Sequence, residues 1–138
     1  MVDFNSPIGR KVKRRLRQEQ TIWLTTVDSH NTPQPRPVWF HWDGETALIF
    51  SQTNAAKLRH IAHNPRVALN FNTDSDGDNV GVLIGDARIL QEPPSPKRVK
   101  AYLRKYREGI KGIGMTAASL QIAYPVAILV TPQTVRGF

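Results

Sequence analysis

Cysteine is absent from this 138-residue chain, so disulfides and thiolate chemistry are both excluded. No apolar run approaches the roughly 20 residues that a membrane helix needs. The opening Met1-Val2-Asp3-Phe4-Asn5 lacks a charged stretch leading into an apolar one, so no secretory signal is read and a cytoplasmic location is expected. Acidic residues are few, 11 against 19 lysines and arginines, and the formal net charge of +8 calls for an explanation. Nucleic acid, an anionic membrane surface or a polyanionic small molecule would each provide one.

Several motifs are also missing. There is no Walker A pattern and no nucleophile elbow. The glycines of Gly109-Ile110-Lys111-Gly112-Ile113-Gly114 fall in the order G-x-x-G-x-G, which is not the dinucleotide fingerprint. Asp74, Asp76 and Asp78 begin like an EF-hand loop, but Asn79 stands where the loop needs glycine and Gly85 where it needs glutamate. His60 and His63 sit one turn apart without a carboxylate or cysteine companion, and they are read as surface residues. No metal is expected, and no catalytic nucleophile or acid–base pair emerges.

What is present is a chain of short strands with a few helices. Ser6-Pro7 reads as an N-cap with proline at the first helical position, and Ile8, Val12 and Leu16 then give one apolar stripe. Ser95-Pro96 repeats the signal before Val99, Tyr102, Leu103 and Tyr106. The lysines and arginines of both helices are read as solvated faces, with Arg10 to Arg17 also passing a crude test for nucleic-acid attraction. Strands are expected over 22–27, 35–42 (an edge, because of Pro35 and Pro37), 46–51, 66–72, 80–90, 126–131 and 135–138. Asp43-Gly44 marks a hairpin, and Gly81 and Gly85 mark bulges or bends. Gly109 to Gly114 is read as loop, followed by one or two helical turns over 116–121. The class is mainly β: one domain, 1–138, built as an antiparallel barrel of six or seven strands with peripheral helices.

One stretch runs against local propensity. Asn54 is expected to cap a short helix ending at Asn64-Pro65, which puts Lys57 in its first turn. There a positive side chain opposes the macrodipole at a cost of roughly 0.3–1 kcal/mol. An anion bound by the free N–H groups and the ammonium would justify the placement. Ser51 and Thr53 bring hydroxyls just upstream. Arg36 is expected to approach by hairpin pairing with the third strand, bringing a guanidinium suited to phosphate. The alternative is that Lys57 and Arg36 are solvated surface charges.

The order Arg36-Pro37-Val38-Trp39-Phe40, Ile49-Phe50-Ser51-Gln52-Thr53, Lys57 and Asn64-Pro65-Arg66-Val67-Ala68-Leu69 resembles the pyridoxamine 5′-phosphate oxidase-like split-barrel superfamily. The resemblance runs from about Ile22 to Phe138 and includes the closing Pro132 to Gly137; Thr32 to Phe40 and the short length resemble, more narrowly, its F420-dependent group, the B-type flavin/deazaflavin oxidoreductases. The resemblance implies a split β-barrel homodimer with two cofactor sites at the subunit interface. It implies that Arg36, Ser51, Gln52 and Lys57 hold a cofactor phosphate, with Thr53 beside them. Pro37, Val38 and Trp39 would lie along the ring of F420 or, alternatively, FMN. Ala55-Ala56 replace the longer basic motif of the name-giving oxidase, so pyridoxamine phosphate oxidation is not carried over.

Three functions stay open at this point. The first is an oxidoreductase passing hydride between F420 or FMN and a small organic substrate, the cofactor supplying the chemistry. The second is a non-catalytic binder or store of flavin, F420 or haem on the same fold. The third is a basic nucleic-acid module, disfavoured because the aromatics interleave with strand apolars instead of forming a stacking platform.

Overall fold

The computed structural model describes residues 2–138. Its elements run α1 (Pro7–Gln18), β1 (Ile22–Val27), β2 (Pro33–Val38), β3 (His41–Trp42), β4 (Ala47–Ser51), α2 (Ala56–His63), β5 (Arg66–Asn70), β6 (Gly81–Ile89), α3 (Pro96–Lys105), α4 (Arg107–Gly112), α5 (Ala117–Ala123) and β7 (Val126–Gly137). The strands form one antiparallel sheet of seven in the order β2-β1-β5-β6-β7-β4-β3. No helix among the described residues is long and apolar enough to cross a membrane.

The two edge strands, β2 and β3, are neighbours in sequence. Only Trp39 and Phe40 separate them, so the sheet curls until those two residues bridge its open side. The expected strand over 35–42 is therefore two strands, one paired with β1 and the other with β4. Proline explains the edge. Pro33, Pro35 and Pro37 alternate along β2, so all three missing N–H groups lie on one side, and an edge strand has one side to spare.

Local signals act as read at both serine caps. Ser6 accepts from Gly9 N at 3.0 Å and Ser95 from Arg98 N at 3.3 Å, each with proline opening the helix. Asp43-Gly44 turns β3 into β4 with Gly44 at φ 105°. At Gly85 the pairing of β6 with β7 shifts register opposite Pro132. A Cβ on Gly85 would run into the Thr131 carbonyl, so the close approach of the backbones requires glycine.

Three readings are corrected. The last two expected strands are one, β7, because the register shift opposite Gly85 absorbs the proline that separated them. Residues Gly109 to Gly114 are not simply loop: α4 forms because Ile110, 4% exposed, is buried, and Gly114 at φ 74° ends the turn that follows. The cap of α2 is Ala55, with no side-chain hydrogen bond, and not Asn54.

Most cations of the basic helices are exposed as read, but Arg15 and Arg98 depart from that reading. Arg15 of α1 lies beneath the β5–β6 connection, donating to the carbonyls of Asn72 (2.7 Å) and Asn79 (2.6 Å) and pairing with Glu19. Arg98 of α3 donates to the carbonyls of His41 and Thr46 and pairs with Asp43, riveting the helix to the β3–β4 hairpin. Two apolar clusters result: one inside the sheet, under α1 and α2, and one joining α3, α4 and α5 to Trp39 and Phe50.

Candidate functional site

The Trp39–Phe40 bridge has a wall built behind it. The Tyr106 hydroxyl accepts from Phe40 N at 2.7 Å and lies within hydrogen-bond reach of the carbonyls of Phe40 (2.8 Å) and Gln20 (2.7 Å). Lys105 donates to the same Phe40 carbonyl at 2.7 Å and caps the Phe40 ring. Trp39 is thereby held half-buried, stacked on Tyr106, with Gly109 close against the end of the indole.

In front of this wall lies an apolar chamber of about 320 Å³, between Pro37, Val38 and Trp39 on one side and α3 and α5 on the other. Phe50, Tyr102, Leu103, Leu120 and Tyr124 line it, and Lys57 is its one charged residue among the described residues. A second cleft, of about 400 Å³, lies on the other side of Lys57 and Pro37, which line both spaces. Its character is basic and polar: Arg36, Gln34, Thr26 and His60 face it, together with Ala55 and Ala56 at the start of α2.

The uncapped start of α2 thus opens on a cleft that already holds two cations. Burial, and then the nearby Arg36 guanidinium, pull the Lys57 ammonium below its ordinary pKa. An anion between the two would relieve that repulsion and take up the unpaired N–H groups of the first turn. Alanines at 55 and 56 leave the backbone open to such a group.

The structure brings together Arg36, Pro37, Val38, Trp39 and Lys57 but routes Arg36 differently from the expectation. Arg36 reaches Lys57 from the β1–β2 hairpin, since β2 pairs with β1 and not with the strand that leads into α2. Ser51 is 2% exposed and its hydroxyl donates to the Gln52 carbonyl, while Gln52 and Thr53 are exposed. None of these three lines either cavity. His60, read as a surface residue, is half-buried with Nδ1 2.8 Å from Thr26 Oγ1, and it faces the basic cleft. Among the described residues no group of three or more histidines and carboxylates gathers as metal ligands would.

Sequence reasoning missed the tyrosines. Tyr102 and Tyr106 were absorbed into an apolar helix stripe, where their spacing explains burial without asking what their hydroxyls bond. Two phenols in one buried stripe were the available signal.

A sequence-family model described as pyridoxamine 5′-phosphate oxidase matches residues 8–138. Among solved structures, an F420 reductase is similar at 25% identity and a TM-score of 0.65, over 90% of this chain and 94% of the other. HutZ, the haem storage protein from Vibrio cholerae, is similar at 16% identity and a TM-score of 0.69, over 96% of this chain and 95% of its own. A Listeria innocua protein provisionally assigned as a pyridoxamine 5′-phosphate oxidase is similar at 23% identity and a TM-score of 0.69, over 92% and 94%. No curated protein matches the chain.

Proposed function

The chain belongs to the pyridoxamine 5′-phosphate oxidase family, and from that premise we propose that it is an oxidoreductase binding F420, with FMN as the alternative, to exchange hydride with a small organic substrate. The observation that carries this reading is the shared wall. Lys57 and Pro37 separate a basic cleft from an apolar chamber, so one elongated molecule with an anionic part and a flat ring fits across both. The similarity to an F420 reductase supports the choice of cofactor.

When bound, such a cofactor supplies the hydride chemistry, and the protein supplies binding, orientation and a dry ring environment. Arg36, Lys57 and the first N–H groups of α2 would hold the phosphate. Pro37, Val38 and Trp39 would flank the ring. Gln52 and Thr53 would stand at the outer edge of the phosphate contact, with Ser51 fixing the strand end through its bond to the Gln52 carbonyl. F420 carries a phosphodiester and an oligoglutamate tail, and the surplus of basic residues would steer it inward.

A homodimer belongs to the same proposal. Ile113, which lines the chamber, and Ile122 of α5 are 55% and 81% exposed. A second copy of the chain covering these apolar side chains would close the chamber.

The second reading is storage of a haem-like ligand, favoured by the similarity to HutZ. Against it, no His or Met is among the described residues lining the apolar chamber, and His60 faces the other cleft, which leaves the phenols of Tyr102 and Tyr124 as candidate iron ligands there. The deciding experiment is titration of the purified protein with F420, FMN and haemin, followed by absorbance and fluorescence. Saturable F420 or FMN binding, then turnover of the reduced cofactor with an electron acceptor, is expected. Failure to bind either cofactor would overturn the proposal.

A further inference from the structure

Tyr102 and Tyr106 stand one turn apart on the same helical stripe, yet their hydroxyls are used differently. The Tyr106 hydroxyl meets three backbone groups, of Phe40 and Gln20. The Tyr102 side chain is as deeply buried, at 4% exposure, but its hydroxyl makes no hydrogen bond among the described residues. The oxygen itself is not among the buried polar atoms left without a partner, so it opens on the chamber that the side chain lines, where a ligand can take the hydrogen bond that the protein leaves unused.

The ring cannot swing away to find another partner. Phe50 packs edge-on against it at 4.8 Å between centroids, and Tyr106 lies tilted against it at 5.0 Å. Burial also raises the Tyr102 pKa, so the group keeps its proton and stays a donor. Tyr124 lines the chamber as well, but it is only partly buried and less firmly held.

Val99, Leu103 and Leu120 stand in the same wall, and its other polar members, Thr21, Gln121 and Tyr124, are uncharged. A charged ligand would meet no counter-charge there, because Lys57 stands at the end shared with the basic cleft. We propose that the α3–α5 side of the chamber, facing the Pro37–Trp39 side proposed for the ring, is a subsite for an uncharged, flat, mainly apolar molecule, and that the Tyr102 hydroxyl orients it by donating a hydrogen bond to one acceptor oxygen, of the carbonyl kind. The inference rests on the proposed function only in calling that molecule a substrate.

The test uses 2-acetylnaphthalene, which carries one carbonyl, and 2-ethylnaphthalene, which carries none, titrated into cofactor-free protein and Tyr102→Phe. Removal of the hydroxyl is expected to weaken binding of the ketone about tenfold and leave the hydrocarbon unchanged. The infrared carbonyl band of the bound ketone should sit at lower frequency in the unmodified protein than in the variant. Equal ketone affinity and carbonyl frequency in both proteins would overturn the inference. Equal loss of both ligands, or no ketone binding to the unmodified protein, would also overturn it. Because no cofactor is present, these outcomes are independent of whether F420 or FMN binds.

Discussion

The indole of Trp39 lies flat on the ring of Tyr106, with centroids 4.5 Å apart and planes 3° from parallel. The same tyrosine uses its hydroxyl to hold the peptide of the next residue, Phe40, by both its N–H and its carbonyl. One side chain, at the junction of α3 and α4, thus fixes where the curled sheet stays open and where the chamber wall stands. Neither β2 nor β3 pairs with the other, so this contact replaces a missing ladder.

Tyr106→Phe should therefore destabilise the protein although it keeps the ring and its stacking. The Phe40 N–H would be left buried without a partner, at a cost of about 1–3 kcal/mol. Urea unfolding of the two proteins measures this. A variant as stable as the parent would show that water replaces the hydroxyl.

Lys57→Ala should weaken F420 or FMN binding by one to two orders of magnitude, from about 1.5–3 kcal/mol for a charged hydrogen bond. Arg36→Ala should act in the same direction but more mildly, since that side chain is exposed and touches only the Pro35 carbonyl. Fluorescence titration at low ionic strength checks both, and unchanged affinity for Lys57→Ala would remove the anion cleft from the site.

Cofactor binding should also take up protons at alkaline pH. Free Lys57 sits below its ordinary pKa, and an adjacent phosphate would raise it again. Between the two values the bound state holds more protons, so affinity should fall as pH rises through the lowered pKa. Calorimetry in buffers of different ionisation enthalpy reads the uptake, which Lys57→Ala should abolish.

Stability should pass through an alkaline maximum. Burial lowers Lys105 from 10.5 to about 8. Below about pH 8 the folded state bears the whole desolvation cost of its charge. From there towards pH 10.5 the folded protein loses that proton while the unfolded chain keeps it, so stability rises. Tyr102 and Tyr106 act oppositely, because burial raises both above the ordinary 10.0 and the unfolded phenols ionise first. Denaturation midpoints should therefore rise from about pH 8 and turn down beyond about pH 10. In Lys105→Met the rise should be blunted and the later fall kept.

Ile122→Glu should leave the fold intact and disrupt the proposed homodimer, since the side chain is 81% exposed and beyond the core. Sedimentation of the parent as a dimer and of the variant as a monomer is the expected outcome. A monomeric parent would overturn this part of the proposal.

Elements set by a few consecutive residues were legible in the sequence. The Ser6-Pro7 and Ser95-Pro96 caps, the Asp43-Gly44 hairpin, the edge character of the proline-bearing β2 and the irregularity at Gly85 each follow from backbone geometry within a few positions. The same holds for Lys57 in the first turn of α2, although Ala55 and not Asn54 stands at its cap. The family order grouped Arg36, Pro37, Val38 and Trp39 as candidate cofactor contacts, for reasons that spacing alone did not supply.

Tertiary structure decided which of these groups are buried and what they meet. Whether Arg15 and Arg98 are solvated or riveted depends on loops and hairpins more than fifty residues away along the chain, such as Asn72 and Thr46. The split between β2 and β3 depends on how far the sheet curls, and on a tyrosine 66 positions from the peptide it holds. Local propensity extends over one turn or one hairpin, whereas burial and hydrogen-bond partnership are settled only when distant segments pack. For that reason the sequence could point to Lys57, but only the folded chain could show Tyr102 idle and Tyr106 fully engaged.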